Sequence, residues 1–388
     1  MKLIFISSGK YPNGGAATNR HLGYAKGLKE LGHEVEFLLL SNQQWKEKEL
    51  VESGINFTCL YSKSPIKNKK LSIVQSHFKT IRAAKGKLAA EQRENVINAI
   101  VLLDISVSIL IPLIKQAKKL GVKIFHERTE YPFVVSGKTV LQKIDLFIYL
   151  KYVIQKFDGI YVINNALKKY FSEKTFGKVP ITIVNMLVDP ERFNCGERLL
   201  SDEKVITYCG TLDDDKDGVP ILIESFSLIA NEFPSVKLQL IGSLDNKITR
   251  QNILSQIEKL NIKYRVITTG SVKRHEISKL LCNSYILALA RPANKQAEGG
   301  FPTKLGEYLA TGNTVVITNV GEIGLFLKDK QNAYIAEPNS AEKFSQKLRE
   351  ALSDNSPKQI GSEGRKLVFN EFNYLTQAKV MEDMFTPE

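Results

Sequence analysis

Residues 1–40 read MKLIFISSGKYPNGGAATNRHLGYAKGLKELGHEVEFLLL, and this stretch decides the fold. Residues 2–7 are an apolar run of strand length. A glycine-bearing loop follows, then helical spacing over 19–31, a stop at Gly32 and a second apolar run over 34–40. Strand, helix and strand in so short a span predict a parallel pair joined by a right-handed crossover. Outward from it, 98–103, 122–126, 159–163 and 181–184 read as further strands and 106–120 as a helix. The segment 191–203, ERFNCGERLLSDE, is polar and aperiodic and is taken as the interdomain linker. Beyond it the alternation restarts. Strands are expected at 205–208, 237–241, 264–269, 286–290, 314–318 and 333–336. Helices are expected at 220–233, 250–260, 275–281, 303–311 and 341–352, with a helical tail over 364–385. The fold class is therefore α/β, with two Rossmann-like, doubly wound domains at 1–190 and 191–370, which suits a chain of 388 residues.

Lys and Arg number 54 against 41 Asp and Glu, a net charge of +13, which favours an anionic partner: nucleotide phosphates, nucleic acid or an acidic membrane surface. No helix-turn-helix, RRM or zinc pattern supports nucleic acid, so that partner is not expected. Residues 61–90 carry Lys63, Lys67, Lys69, Lys70, Lys79, Arg82, Lys85 and Lys87 and no acid. Ile66, Leu71, Ile73, Val74, Phe78, Ile81 and Leu88 are interleaved with them. This pattern fits an interfacial helix on anionic lipid, and equally a surface helix with its apolar side in the core. Residues 138–156 are a second basic and apolar stretch. The chain opens directly on a strand pattern, without a basic and then apolar leader, and the longest apolar run, 99–114, is too short to span a bilayer and is broken by Asp104 and Pro112. The expected setting is cytoplasmic, peripheral at most to the inner face of the plasma membrane. Cys59, Cys195, Cys209 and Cys282 are scattered, so neither a zinc site nor a disulfide framework is expected.

Open α/β sheets bind ligands beyond the C-terminal ends of their strands, so the loops after strands hold the candidates. In 7–20, SSGKYPNGGAATNR, Gly14 and Gly15 allow close approach of a ligand to the backbone. The stretch is not GxGxxG, which argues against a dinucleotide. Residues 126–132, HERTEYP, bring His126, Glu127 and Glu130 to a strand end; the other reading is a solvated turn. In 209–218, CGTLDDDKDG, Gly210 permits a tight turn and Lys216 reaches a diphosphate. Three consecutive aspartates do not converge readily on one ion, so a solvated acidic turn is preferred to a metal site. The richest loop is 291–313, RPANKQAEGGFPTKLGEYLATGN. The amides of Gly299 and Gly300 and a helix start at Thr303 suit an anion nest, Arg291 and Lys304 add charge, and Glu307 suits either ribose hydroxyls or the dipole of its own helix N-terminus.

These segments, in this order, resemble the retaining glycosyltransferases of family 4, which have the GT-B fold. The resemblance is carried by PNGGAATNRHLGYAKGLKELGHEVEF, IVNMLVDPERF, CGTLDDDKDGVPILIESF and EGGFPTKLGEYLATGNTVV, and covers essentially the whole chain. It implies two domains facing across a cleft, the first for the acceptor and the second for the donor, with a C-terminal helix at about 371–388 packing back on the first. It implies that Lys216 binds the donor diphosphate, that Glu307 is the second acid of an E-x7-E motif holding the ribose, and that His126 lies near the donor sugar. Gly15, Gly210, Thr211, Glu298, Gly299, Gly300, Phe301, Pro302, Thr303 and Lys304 complete the donor site. Asn13, Gly14, Asn19, Arg20, Glu127 and Glu130 fall on the acceptor side. The substrates implied are a UDP- or GDP-sugar and a glycan or lipid-linked acceptor, in polysaccharide or lipopolysaccharide assembly, with no metal and no further cofactor.

The chain departs from the family pattern twice. Thr211 stands where the family has arginine, and Arg291 is the candidate to replace it. Gly299 stands at the first acid of the E-x7-E motif, with Glu298 one residue early. Retention in this fold needs no protein nucleophile, because the leaving diphosphate assists the acceptor hydroxyl on the same face. The catalytic work then falls on His126, Lys216 and Arg291, chiefly by stabilising negative charge. Two other functions fit the same residues: a non-catalytic sugar-nucleotide-binding protein and a basic nucleic-acid-binding protein.

Overall fold

A computed structural model describes residues 1–43, 54–66, 68–104, 106–135, 139–196, 204–212, 215–354 and 357–386. The chain divides into two units. Unit one is Met1–Asn185 with Tyr374–Glu388, and unit two is Met186–Asn373. The division falls after Asn185, five residues before the expected boundary. Residues 190–193 form a short helical turn of unit two rather than the start of a linker, and 197–203 lie outside the described residues.

Unit one is a seven-stranded parallel sheet: β1 Lys2–Ser7, β2 Glu34–Leu39, β3 Asn56–Cys59, β4 Ile97–Leu102, β5 Lys123–Arg128, β6 Gly159–Val162 and β7 Ile181–Ile183, in the order β3-β2-β1-β4-β5-β6-β7. Its inner strands are apolar on both faces because helices cover both, as in β1, where all six residues are buried. The order reverses between β1 and β4, so the loops leaving these strands flank the switch point. They are tied there by the Ser8 N–H, which donates to Asp104 Oδ2 at 2.8 Å. The helix Ala16–Glu30 packs against the terminal helix Tyr374–Phe385, and Gly27 makes this possible: a Cβ there would lie 2.5 Å from Ala378 Cβ and 2.9 Å from the Tyr374 carbonyl. Tyr374 donates to Glu30 (2.8 Å) and Tyr161 to the Met381 carbonyl (3.0 Å).

β5 runs two residues further than its apolar pattern predicts. His126, Glu127 and Arg128 are strand residues, paired with Ile160, Tyr161 and Val162 of β6, not the loop after the strand. Strand alternation then sends His126 and Arg128 to one face and Glu127 to the other.

Unit two is a six-stranded parallel sheet: β8 Val205–Cys209, β9 Lys237–Ile241, β10 Val266–Gly270, β11 Ile286–Leu289, β12 Thr314–Thr318 and β13 Tyr334–Ala336, in the order β10-β9-β8-β11-β12-β13. Its switch point lies between β8 and β11. Against expectation, Cys195 and Cys282 form a disulfide with Cα atoms 5.2 Å apart, pinning the segment after the 190–193 turn to the end of the helix Arg274–Cys282. The two cysteines are 87 residues apart in sequence, a separation from which local spacing reveals no pairing.

Candidate functional site

In unit two the segments leaving β8 and β11 meet at the switch point. After β8 the chain turns through Gly210 and a short helical turn, Asp215–Asp217, which carries half-buried Lys216. Gly218 follows at φ +69° and opens the helix Val219–Ser227. A side chain at Gly218 would run into the Ala290 carbonyl, so that glycine is set by close approach between the two segments, while one at Gly210 would meet the Tyr208 hydroxyl and the movable end of Lys304. Lys304 Nζ lies 2.7 Å from Asp217 Oδ2, and the Tyr208 hydroxyl donates to the same oxygen at 2.9 Å. Burial alone would raise the Asp217 carboxyl; Lys304 outweighs it and holds Asp217 below its ordinary value. Of the expected aspartates, 213 and 214 lie outside the described residues. Among the described residues no group of His, Cys, Asp or Glu is placed to hold a metal ion.

The loop after β11 is more ordered than its glycines suggest. Asn294 caps a single turn, Lys295–Glu298, by accepting from the Ala297 N–H at 2.8 Å. The Gly299 N–H donates to the Lys295 carbonyl at 3.1 Å, so the expected double-glycine nest is left with the Gly300 amide. Glu298 pairs with Lys295 at 2.7 Å on the surface. Phe301 packs into a cluster with Phe326 and Phe372. Pro302 precedes the helix Thr303–Ala310, whose start carries no side-chain cap. Arg291, expected at the diphosphate, is only 1% exposed; its Nη2 donates to the Gln296 carbonyl at 3.2 Å, bracing the loop from beneath. Thr211, in the expected arginine position, is exposed. Glu307 is held at 3.3 Å by Arg192, a partner the sequence reading missed, from the DPERF segment.

In unit one the loop after β1 holds exposed Asn13 and Gly15 and half-buried Gly14, and half-buried Asn19 lies in the first turn of the helix Ala16–Glu30. Thr18 Oγ1 donates to the Lys10 carbonyl at 2.8 Å across the space a Gly14 side chain would fill, whereas a Cβ at Gly15 would meet nothing. Arg20 and Glu127 were expected to face the acceptor; instead they are buried against each other. Arg20 Nε donates to Glu127 Oε1 at 2.8 Å, Tyr24 donates to the same oxygen at 3.0 Å, and His21 Nε2 lies 3.1 Å from Oε2. Burial would raise the Glu127 carboxyl, but His21 and Arg20 outweigh it and hold it far below the carboxylate range. The odd strand position of Glu127, facing the helix Ala16–Glu30, is the reason. His126 is fully buried on the opposite face, stacked on Phe157 at 4.6 Å, with Nδ1 at 2.8 Å from the Leu102 carbonyl. Burial first, and the Arg128 charge second, push its pKa down to about 3. It is a neutral hydrogen-bonding group, not a base. Glu130 is half-buried beyond the strand. Asp104, which the sequence reading used only as an interruption of an apolar run, is raised to about 6 by burial, against the Ser8 hydrogen bond.

The basic stretch forms the helix Lys69–Glu94. Ile81 and Leu88 face the core, but Leu71, Ile73, Val74 and Phe78 are exposed beside Lys69, Lys70 and Lys79. Lys87 pairs with Glu91 and Lys67 lies outside the described residues. The helix Val140–Ile148 buries none of its side chains and exposes Val140, Leu141, Ile144 and Phe147. Both helices pack on the helix Val107–Lys119. No helix among the described residues is long and apolar enough to cross a membrane.

Residues 194–367 match the family model for glycosyl transferases group 1. The capsular polysaccharide biosynthesis glycosyltransferase CapM of Staphylococcus aureus is 27% identical over 191 residues, covering 48% of this chain. The match spans 47% of that protein, about half its length. Among solved structures, HepE of Anabaena in complex with UDP and glucose superposes with a TM-score of 0.76 at 13% identity over the whole of both chains. A glycosyltransferase from Rickettsia africae gives 0.75 at 16% identity over 99% of this chain and 97% of that one. At such identities the likeness establishes the fold, two Rossmann-like domains of GT-B type.

Proposed function

We propose, from the match of residues 194–367 to the glycosyl transferases group 1 model, that this chain transfers a sugar from a nucleotide diphosphate donor to a glycan or lipid-linked acceptor in cell-surface polysaccharide synthesis. The observation that carries the reading is the convergence at the switch point of unit two. Gly210 admits Lys304, Gly218 admits the Ala290 carbonyl, and Lys216, the Gly300 amide and the uncapped start of the helix Thr303–Ala310 belong to the same two segments. Such a group of amides and cations suits a pyrophosphate. Lys216 binds the diphosphate and stabilises it as it leaves. Glu307, steadied by Arg192, accepts from the ribose. Arg291 acts through the loop it braces. In unit one the exposed Gly15 leaves the loop after β1 open to a ligand, and His126 serves sugar binding. UDP complexes of HepE favour a uridine donor.

Thermal-shift titration with UDP, GDP and ADP tests this. UDP or GDP should stabilise the protein, Lys216→Ala should abolish the effect, and the matching nucleotide sugar should be turned over with release of free diphosphate. Binding without turnover would make the chain a sugar-nucleotide-binding protein. Retention is read by NMR from the anomer first formed, and metal independence from activity in EDTA.

The bare apolar and basic faces of the helices Lys69–Glu94 and Val140–Ile148 support a second element, docking on anionic lipid. Vesicles containing phosphatidylglycerol should sediment the protein and pure phosphatidylcholine should not; equal sedimentation by both would remove this element.

A further inference from the structure

One face of β5 carries a buried charge without a counter-ion in contact among the described residues. Arg128 is 7% exposed, its Nε has no hydrogen-bond partner, and its guanidinium forms no hydrogen bond or ion pair with any described residue. Two further buried polar atoms, His126 Nε2 and the Tyr149 hydroxyl, are also unpartnered. The three belong together. Strand alternation puts His126 and Arg128 on the same face, the His126 and Tyr149 rings are 5.6 Å apart, and the Arg128 charge acts on both groups. Burying a lone guanidinium is costly, and so are orphaned polar atoms; a fold keeps them together where something else completes them.

The chemistry of that missing partner can be read from the three groups. His126 Nδ1 faces the Leu102 carbonyl and must carry the proton, so Nε2 presents a lone pair and accepts. Arg128 offers a cation and Tyr149 a hydroxyl donor. The complement is an oxyanion with a neighbouring hydroxyl. The carboxylates nearby leave this charge in place. Glu127 faces the opposite side and is taken up by Arg20, His21 and Tyr24, while Asp104 feels Arg128 only beyond ion-pair distance and accepts from Ser8.

We propose that Arg128, Tyr149 and His126 form a subsite in unit one for a sugar bearing an anionic substituent, phosphate or carboxylate, on the acceptor of the transfer. The assignment to the acceptor rests on the transferase reading above. Neither the expected donor residues nor the expected acceptor residues include Arg128 or Tyr149.

The test uses the full chain and three probes, glucose 6-phosphate, methyl glucuronide and methyl glucoside, with dissociation constants from calorimetry. At least one charged sugar should bind about tenfold or more tightly than methyl glucoside, and which one does so separates phosphate from carboxylate. Arg128→Met should erase the preference and, by removing an uncompensated buried charge, should raise Tm without ligand. Tyr149→Phe, which removes only the orphaned hydroxyl, should weaken the charged sugar about threefold or more. Equal affinity for all three probes, or an unchanged preference in both variants, overturns the subsite. UDP is titrated in parallel: UDP binding with indiscriminate sugar binding sinks the subsite alone, whereas no UDP or GDP binding sinks the transferase reading.

Discussion

Lys304 Nζ sits 2.7 Å from Asp217 Oδ2, joining the first turn of one helix to the strand-end turn just before another. Asp217 is almost wholly buried, so this pair holds the phosphate-binding segments in register rather than offering Lys304 freely to a ligand. Lys304→Ala should leave Asp217 buried and uncompensated, costing about 3 kcal/mol. Urea denaturation checks this. A loss below about 1 kcal/mol would mean that Asp217 relaxes to water.

Glu307 and Arg192 predict a different pattern. Glu307→Gln should weaken nucleoside diphosphate binding about tenfold through lost ribose hydrogen bonds to a charged acceptor. Arg192→Ala should weaken it less, because Arg192 only steadies Glu307. Calorimetric titration of UDP or GDP distinguishes the two.

The Asp104 carboxyl, raised by burial from 3.8 to about 6, gives a pH prediction. A folded-state pKa above the unfolded one means that the folded protein binds more protons between these values, so stability from this group is present at low pH and lost as pH rises toward 6. The loss is about 3 kcal/mol at most. Asp104→Asn should therefore match the wild type near pH 4 and exceed it above pH 7, in denaturation curves run at each pH. A difference that does not change with pH would refute the burial argument.

The terminal helix is held by a steric match. Gly27→Val would place side-chain carbon where Ala378 Cβ and the Tyr374 carbonyl already lie, and should cost about 3 kcal/mol or displace the helix. Deletion after Asn373 should uncover buried Tyr161 and Phe125, which contact Phe385, and lower Tm by more than any single substitution here. Differential scanning calorimetry measures both.

Alkylation under denaturing, non-reducing conditions should label Cys59 and Cys209 and spare Cys195 and Cys282. Closing a loop of 87 residues constrains the unfolded chain by about 4.6 kcal/mol in the chain-entropy model, so reduction should lower the denaturation midpoint.

Much of the fold was legible because buried parallel strands are continuous apolar runs: β1 and β12 begin and end where the sequence places them. The short edge strand β3 was not, since none of its four residues is buried and its pattern is weak. The helix Asn165–Lys174 was also missed; it buries only Leu167 and Phe171, which leaves little periodicity to read. At the site, Gly210 and Gly218, the latter at a forced close approach, were visible as residue types. What each charged side chain does was not. Arg20 and Glu127 look like ligand-binding residues in sequence and are buried against each other, a pairing between residues 107 positions apart that leaves no local signal, and the burial of Arg291 beneath its own loop shows only in the fold. Arg128, inside HERTEYP, and Tyr149, inside the stretch 138–156, were not singled out, and only their shared burial without partners marks them.

The central claim is that the convergence of the β8 and β11 segments in unit two binds a pyrophosphate, and a crystal structure with the tightest-binding nucleoside diphosphate tests it most directly. The account predicts phosphate oxygens within hydrogen-bonding distance of Lys216 Nζ and the Gly300 amide, with a ribose hydroxyl on Glu307. A nucleotide seated elsewhere, or one whose phosphates touch neither Lys216 nor Gly300, would contradict it.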